Sequence, residues 1–171
     1  MVVYSCNQVP HTLRRNIAEA IGMPLGDVRV VKPFLGGGFG NKQDTMYEPL
    51  VALASQRLGG RYVAITLSRE ETFVNTRTRH GFDMTIAAAA DEAGDLTHRG
   101  IRINSNGGSY AAHTHAVAAY AVTSNFQTYK ASAVQIGESS TVYTNLPSAA
   151  AMRGYGIPQL NFAMGFKKKV D

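Results

Sequence analysis

Runs of β-branched and alternating apolar residues predict three short strands in the first half of the chain. Side chains of a strand point to opposite faces in turn, so an apolar residue at every second position indicates one buried face. The three runs lie at 1–6, 27–34 and 61–69. Glycine, proline and asparagine separate them from their neighbours, as expected for the ends of elements.

Two amphipathic helices are predicted between these strands, over 10–22 and 44–60, because apolar residues recur there every four positions. Pro10 and Gly22 suit the start and the end of the first helix. Pro49 predicts a kink or a broken first turn in the second. The apolar positions are Leu13, Ile17 and Ile21 in the first helix and Leu50, Ala54 and Leu58 in the second.

The second half is richer in strands. Segments 80–90, 94–110 and 132–145 predict extended strands joined by Gly, Asp and Asn turns. Segment 115–126 predicts a helix, and segment 148–166 begins as a turn or helix of small residues around a Gly-Tyr-Gly element. The whole pattern predicts an α+β fold of mixed strands with helices packed on them.

Four glycines within five positions, Gly36 to Gly38 and Gly40, follow the second strand. A Walker phosphate loop does not fit, because Lys42 is followed by Gln43 rather than by Ser or Thr. The dinucleotide fingerprint fails as well, since Asn41 occupies its third glycine position. A tight structural turn and a backbone cradle for an anionic or oxo-bearing group both stay open.

Composition narrows the classes of function. The net charge of +5 is modest, and the basic residues are dispersed apart from a lysine-rich end that we expect to be a solvated tail, so a nucleic-acid partner is not favoured. A non-catalytic module that binds an anion or nucleotide stays open. Cys6 is the one cysteine and is expected to be buried; it can form no internal disulfide. With no signal peptide and no apolar run long enough for a membrane, a cytoplasmic location is expected.

Several stretches together are similar to one family. In chain order they are NQVPH (7–11), GGGFGNKQD (36–44), SREETFVNTRTRH (68–80), SNGGSYAAHTH (105–115) and TNLPSAAAMRGYGIPQ (144–159). They resemble the molybdenum-binding large subunit of the xanthine dehydrogenase and aldehyde oxidase family. The sequences of 36–44 and 68–80 are most similar to those of bacterial xanthine dehydrogenases. The resemblance implies that residues 1–171 are part of a molybdopterin (molybdenum cofactor)-binding domain.

The resemblance also implies residues that hold the cofactor. Gln8 matches a glutamine that hydrogen-bonds an oxo ligand of the metal. The backbone at Gly38, Phe39 and Gly40 matches the segment whose N–H groups lie against the apical ligand. Arg153 matches an arginine beside the cofactor, and none of these residues binds the metal directly.

Three further positions are implied to act on the substrate. Arg79 matches an arginine that stabilises negative charge on a purine ring, and Tyr155 occupies the place of a phenylalanine that packs against that ring. Gln43 stands where animal xanthine enzymes have a catalytic glutamate, and an amide cannot ionise. Gln43 thus weakens the purine assignment, whereas Arg79 and the aromatic residue at 155 support it. We expect a purine substrate first, and another nitrogen heterocycle or an aldehyde as the alternative.

The family's large subunit is several times longer than this chain, so we expect a fragment that is inactive alone. The Gly-Glu-Pro segment that supplies the family's general base does not occur here, since Gly137-Glu138 is a lone dipeptide in the wrong region. One cysteine cannot hold an iron–sulfur cluster. The expected partners are the remainder of the molybdenum subunit, an iron–sulfur subunit and an FAD subunit. Self-association through apolar surface is also expected.

Overall fold

The structure is a computed structural model that describes residues 1–128 and 134–167. The chain divides into two compact units, Met1–Thr76 (unit 1) and Arg77–Asp171 (unit 2). Each unit has its own buried cluster of apolar side chains. The predicted solvated tail is the lysine run 167–169, of which positions 168 and 169 lie outside the described residues. The assignment of 1–171 to one cofactor-binding domain stays a prediction.

Unit 1 contains a small parallel sheet and three helices. The two strands pair in parallel, with Val3 opposite Val30. Two short 3-10 helices, Leu25–Asp27 and Asn41–Gln43, lie in the connections. In chain order the main elements are β1 (Val2–Tyr4), α1 (Pro10–Ile21), β2 (Arg29–Val31), α2 (Glu48–Arg57) and α3 (Arg69–Asn75).

The first helix forms as its apolar spacing predicts. Leu13 and Ile17 are fully buried and Ile21 nearly so, and they pack with Val3 and Val28 in the core of the unit. Burial of each large aliphatic side chain stabilises the fold by about 1.5–3 kcal/mol. The helix ends at Gly22, whose φ of 66° lets its N–H reach the carbonyl groups of the last turn.

Helix α2 forms, but the predicted apolar face was wrong. Leu50 and Leu58 are 59% and 55% exposed, whereas Ala52 is buried. The small side chain of Ala52 joins the core cluster that contains the buried face of α1. Pro49 lies in the first turn of α2, where no intrahelical N–H is required, and the helix starts there without a kink.

The strand predicted over 61–69 is also wrong. The backbone there has no strand assignment, and Tyr62 and Ile65 are exposed. A strand requires a neighbouring ladder for its N–H and C=O groups, and the sheet of unit 1 contains only β1 and β2. Apolar alternation alone could not reveal the missing neighbour.

Helix α3 was not predicted, although a sequence signal marks its start. Ser68 and Glu71 form a capping box, in which the Glu71 N–H donates to Ser68 Oγ (3.2 Å) and the Ser68 N–H donates to Glu71 Oε2 (2.7 Å). The spacing Ser-x-x-Glu before Phe73 is the signature that would have found it.

We expect Ser68→Ala to destabilise α3 locally by about 1 kcal/mol, because the cap then leaves a first-turn N–H without its acceptor. Hydrogen exchange of the α3 amides should accelerate about fivefold. Glu71→Gln is the matched control, since glutamine can also complete a capping box. Equal exchange rates in the Ser68→Ala variant and the parent would contradict the role of the cap.

Unit 2 is built on a three-stranded sheet with two helices. Strand β3 is antiparallel to the central β4, and β4 is parallel to β5. Ile101 and Ile103 of β4 pack against α4 and α5 in its core. These strands and helices confirm the predictions for the second half. They are β3 (Phe82–Ala90), β4 (Leu96–Gly108), α4 (Thr114–Thr128), β5 (Val134–Tyr143) and α5 (Ile157–Lys167).

None of the helices in the described part of the chain combines the length and apolar character needed to cross a bilayer.

Candidate functional site

The glycine loop of unit 1 runs from the end of β2 to the short 3-10 helix Asn41–Gln43. Gly37 and Gly40 have φ values of 145° and 96°, which side chains rarely allow. Phe39 between them also has a positive φ of 53°, an uncommon conformation for an aromatic residue. Phe39 as a whole is 59% exposed. The loop therefore presents an aromatic side chain on a strained backbone, which a simple turn does not require.

Gln8 lies against this loop and explains one of the glycines. Its Oε1 accepts from the N–H of Gly40 (3.1 Å) and from the N–H of Lys42 (3.3 Å). The backbone N–H of Gln8 donates to the Lys42 carbonyl at 2.8 Å. A Cβ on Gly38 would overlap the amide of Gln8 and lie 2.8 Å from its Cγ. Only glycine lets the backbone and this amide approach so closely.

The two bonds to Oε1 settle which way the Gln8 amide points. Oxygen is the only acceptor of an amide side chain, so the Nε2 group, with two donor hydrogens, faces away from the loop N–H groups. Gly40 was expected to donate its N–H toward the cofactor, but in this structure that N–H is bonded to Gln8.

Other backbone N–H groups of the loop remain available as hydrogen-bond donors. Within residues 1–128 and 134–167, the N–H groups of Gly36, Gly37, Gly38 and Phe39 have no hydrogen-bond acceptor. Consecutive backbone N–H groups can form an anion-binding concavity. As hydrogen-bond donors, the N–H groups of Gly38 and Phe39 and the Nε2 group of Gln8 suit the anionic, oxo-bearing head of a molybdenum cofactor.

Residues that sequence reasoning missed stabilise the start of α2 and the turn around Gln8. Glu48, in the first turn of α2, accepts from the Ser5 hydroxyl (2.7 Å) and from the N–H groups of Met46 (3.0 Å) and Tyr47 (3.2 Å). The buried Asn7 side chain accepts from the Val9 N–H at 2.6 Å and shapes the turn that carries Gln8. An Asn two residues before the helix-opening Val9-Pro10 pair was the available signal.

The remaining predicted residues of unit 1 have simpler surroundings. Gln43 is half-buried in the 3-10 helix, where its N–H donates to the Gly40 carbonyl at 3.2 Å. Its side-chain amide makes no hydrogen bond within the part of the chain that the structure describes. Cys6 is exposed rather than buried as predicted, and its thiol donates to the Phe34 carbonyl at 3.7 Å.

In unit 2, the side chain of Arg79 contacts the main chain of Arg153. The Arg79 guanidinium donates from Nη2 to the Arg153 carbonyl (2.7 Å) and from Nη1 to Gln159 Oε1 (3.3 Å). The Gln159 amide donates in turn to the His80 carbonyl at 3.0 Å. Both arginine side chains are exposed. Gln159 thus ties the Arg79–His80 segment to helix α5.

His80 is buried beside this pair, with 3% of its surface exposed. Its Nε2 lies 3.0 Å from the hydroxyl of the buried Thr114 at the start of α4. Burial, followed by the nearby His113 and Arg79, lowers the pKa of His80 from 6.5 to about 4. The imidazole is therefore neutral at physiological pH.

Tyr155 occupies the Gly-Tyr-Gly turn before α5. Its φ is 48°, between Gly154 at 92° and Gly156 at 94°. The hydroxyl lies 3.0 Å from His113 Nδ1, and the Tyr120 ring meets the Tyr155 ring edge-to-face with centroids 5.7 Å apart. Sequence reasoning singled out Tyr155 but missed His113 and Tyr120, which lie 42 and 35 positions away.

The structure thus groups the predicted residues into two sets. Unit 1 brings Gln8 together with Gly38, Phe39, Gly40 and the half-buried Gln43, and unit 2 brings Arg79 together with Arg153 and places Tyr155 in the neighbouring turn. Among the described residues, no group of three His, Cys, Asp or Glu side chains could hold a metal ion directly.

Comparison with known sequences gives a consistent result. The profile of the molybdopterin cofactor-binding domain matches residues 1–165. The xanthine dehydrogenase molybdenum-binding subunit of Escherichia coli O157:H7 is 43% identical over 96% of this chain and 22% of its own length. The nicotinate dehydrogenase large molybdopterin subunit of Eubacterium barkeri is 30% identical over 93% of this chain and 37% of its own length. The chain thus spans between about a fifth and two fifths of the length of these relatives.

A solved structure shares the fold. The aldehyde oxidoreductase from Desulfovibrio gigas superposes with a TM-score of 0.80 at 25% identity, over 99% of this chain and 19% of its own. The predicted α+β fold is confirmed by this superposition, and the predicted family resemblance by the profile match.

Proposed function

The chain belongs to the molybdopterin cofactor-binding domain family, and on that premise we propose that it is the part of a xanthine dehydrogenase-like molybdenum hydroxylase that contacts the cofactor and a heterocyclic substrate. The full enzyme would hydroxylate a carbon next to a ring nitrogen with oxygen from water. The 43% identity to a xanthine dehydrogenase subunit supports this choice within the family.

One observation carries the proposal, namely the packing of the Gln8 amide into the glycine loop. Oε1 is occupied by the loop N–H groups of Gly40 and Lys42, so the Nε2 hydrogens of Gln8 are the donors offered to an oxo-bearing group. The N–H groups of Gly38 and Phe39 add fixed donors on the same loop. When bound, the molybdenum cofactor supplies the oxygen transfer and accepts two electrons from the substrate.

Arg79 is proposed to stabilise negative charge that develops on the heterocycle. Its two hydrogen bonds, to the Arg153 carbonyl and to Gln159, hold the guanidinium in one orientation before substrate arrives. A preorganised cation of this kind lowers the energy of an anionic transition state more than a mobile one does. The Tyr155 ring would stack on the substrate, and Arg153 would bind the anionic part of the cofactor.

Gln43 bears on the choice of substrate. An amide donates and accepts hydrogen bonds but cannot ionise, so Gln43 cannot act as the acid or base that a glutamate would provide there. Together with the similarity to a nicotinate dehydrogenase subunit, this favours another nitrogen heterocycle, such as a pyridine carboxylate, as the second candidate substrate.

The wider assembly is proposed from the family. The remainder of the molybdenum subunit, an iron–sulfur subunit and an FAD subunit would complete the enzyme and carry the two electrons away. A cytoplasmic location and self-association are predictions from the sequence.

The proposal is tested on the assembled enzyme that contains this chain, by measuring its molybdenum content and its oxidation of xanthine and of nicotinate. We expect about one molybdenum per chain and turnover of xanthine. Faster turnover of nicotinate would select the second candidate. An enzyme assembled without molybdenum, or one that oxidises neither heterocycle, would disprove the proposed function.

We expect Arg79→Met to lower kcat/KM for the heterocycle about 100-fold, because the variant loses the fixed cation near the developing charge. This corresponds to about 2.7 kcal/mol of transition-state stabilisation. Molybdenum content should not change, because Arg79 donates to the main-chain carbonyl of Arg153 and not to the Arg153 guanidinium that is proposed to bind the cofactor. Arg57→Met, at an exposed position of α2, is the control, and an equal loss in both variants would exclude a specific role for Arg79.

A further inference from the structure

His113 and Tyr155 form a pair that the proposed function does not explain. His113 precedes α4, and its carbonyl accepts from the Val117 N–H at 2.9 Å, so the first turn of the helix fixes its backbone. Its Nδ1 lies 3.0 Å from the Tyr155 hydroxyl, and the two rings meet edge-to-face with centroids 6.1 Å apart. The imidazole therefore contacts both the hydroxyl and the ring of Tyr155.

The turn that carries Tyr155 is tightly confined. A Cβ on Gly156 would lie 2.9 Å from the Val117 carbonyl oxygen and 3.0 Å from Ala121 Cβ, and one on Gly154 would lie 2.6 Å from Pro158 Cγ. The positive φ of Tyr155 costs on the order of 1–3 kcal/mol and persists only where the surroundings enforce it. Strain of this kind, at a position where glycine would be cheaper, indicates that the tyrosine side chain itself is needed.

The hydrogen-bonding capacity of a phenol explains what His113 can change. A phenol has one donor hydrogen and acceptor lone pairs, and an imidazole with its proton on Nε2 accepts at Nδ1. In that arrangement the Tyr155 hydrogen is committed to His113. The phenol oxygen can then only accept a hydrogen bond from a ligand.

We propose that His113 is a positioning residue that determines substrate specificity, because it fixes the Tyr155 ring and commits the hydroxyl hydrogen. Tyr155 then offers a ligand an aromatic surface and a hydrogen-bond acceptor. The ligand class that fits is a planar heteroaromatic ring with an N–H at its edge, as in a purine lactam. This inference rests on the proposed function, in which Tyr155 contacts the substrate.

The test uses the assembled enzyme and two matched substrates, xanthine and a xanthine methylated at a ring nitrogen. We expect the parent to prefer the N–H form by at least tenfold in kcat/KM. Tyr155→Phe and His113→Phe should each remove most of this preference. The double variant should lose no more than Tyr155→Phe alone, because His113 acts through the hydroxyl. His113→Gln, which keeps an acceptor, should restore part of the preference.

Other results would overturn the inference. These are additive losses in the double variant, or a preference that survives in both single variants. A direct measurement guards against variants that fail to fold: ¹⁵N spectra of the histidine-labelled parent should show His113 Nδ1 without a proton. A proton on Nδ1 would make the phenol a donor toward the ligand and would overturn the inference even in an enzyme without turnover. Failure of this inference and of the proposed function are therefore distinguishable.

Discussion

Gly38→Ala is expected to reduce the molybdenum content of the assembled enzyme at least tenfold and to reduce turnover in proportion. The added Cβ would overlap the Gln8 amide and lie 2.8 Å from Gln8 Cγ, which real Cβ atoms essentially never show. Either the glycine loop or Gln8 must move. Movement breaks the bonds from Gly40 and Lys42 to Gln8 Oε1, each of which contributes about 0.5–1.5 kcal/mol.

The effect should exceed the energy of those two bonds, because the same displacement moves every proposed donor. The Gln8 amide and the N–H groups of Gly38 and Phe39 would be displaced relative to one another. Cofactor binding depends on their simultaneous geometry, since a donor displaced by about 1 Å loses most of its hydrogen bond.

Gly36→Ala provides the matched control, as it adds the same methyl group two positions earlier. No atom lies within 4 Å of a Cβ at that position, and its backbone is outside the left-handed region. We expect molybdenum content and turnover close to the parent. Full molybdenum loading in Gly38→Ala would show that the Gln8–loop contact does not shape the cofactor site.

Acidification from pH 7 to pH 4 is expected to destabilise the fold by up to about 3 kcal/mol through His80 alone. The pKa of His80 is lowered from 6.5 to about 4 by burial and by the neighbouring His113 and Arg79. Between these values the unfolded chain binds a proton at this residue and the folded chain does not. The His80 contribution is therefore complete well above pH 6.5, falls steadily as the pH drops toward 4, and levels off well below pH 4.

Urea unfolding measured across this pH range tests the effect. His80→Gln should flatten the pH dependence between 6.5 and 4, because glutamine binds no proton in either state. The comparison concerns slopes, since loss of the bond to the Thr114 hydroxyl also lowers stability at every pH. His98→Gln, at an exposed position of β4, should keep the slope of the parent. Equal slopes in His80→Gln and the parent would contradict a buried neutral His80.

Elements whose signal is local were predictable from the sequence. Leu13, Ile17 and Ile21 predict helix α1, because helix geometry alone puts these side chains on one face. Gly22 predicts the end of the helix. The long strands of unit 2 were predictable because their β-rich runs and the Gly, Asp and Asn turns between them are also local signals. The 61–69 segment has the same alternation, but no neighbouring strand lies beside it, and pairing is a property of the tertiary fold.

The candidate site was predictable as a set of positions but not as a geometry. Four glycines in five residues suggested either a turn or a cradle, and only the approach of Gln8, 30 positions earlier, explains why Gly38 must lack a side chain. The bond between Tyr155 and His113 joins residues 42 positions apart. Packing decides such contacts, and spacing along the chain carries no trace of them.

Phe39 and Tyr155 share one feature with a consequence for the design of this protein. Each is an aromatic residue held at positive φ. Phe39 is followed by Gly40, and Tyr155 lies between Gly154 and Gly156, and these three glycines also have positive φ. Glycine would adopt this conformation without strain, and asparagine would do so at lower cost than an aromatic residue. Selection for heat resistance alone should therefore replace both aromatics early. A thermostabilised variant obtained in this way would trade activity for stability at these two positions.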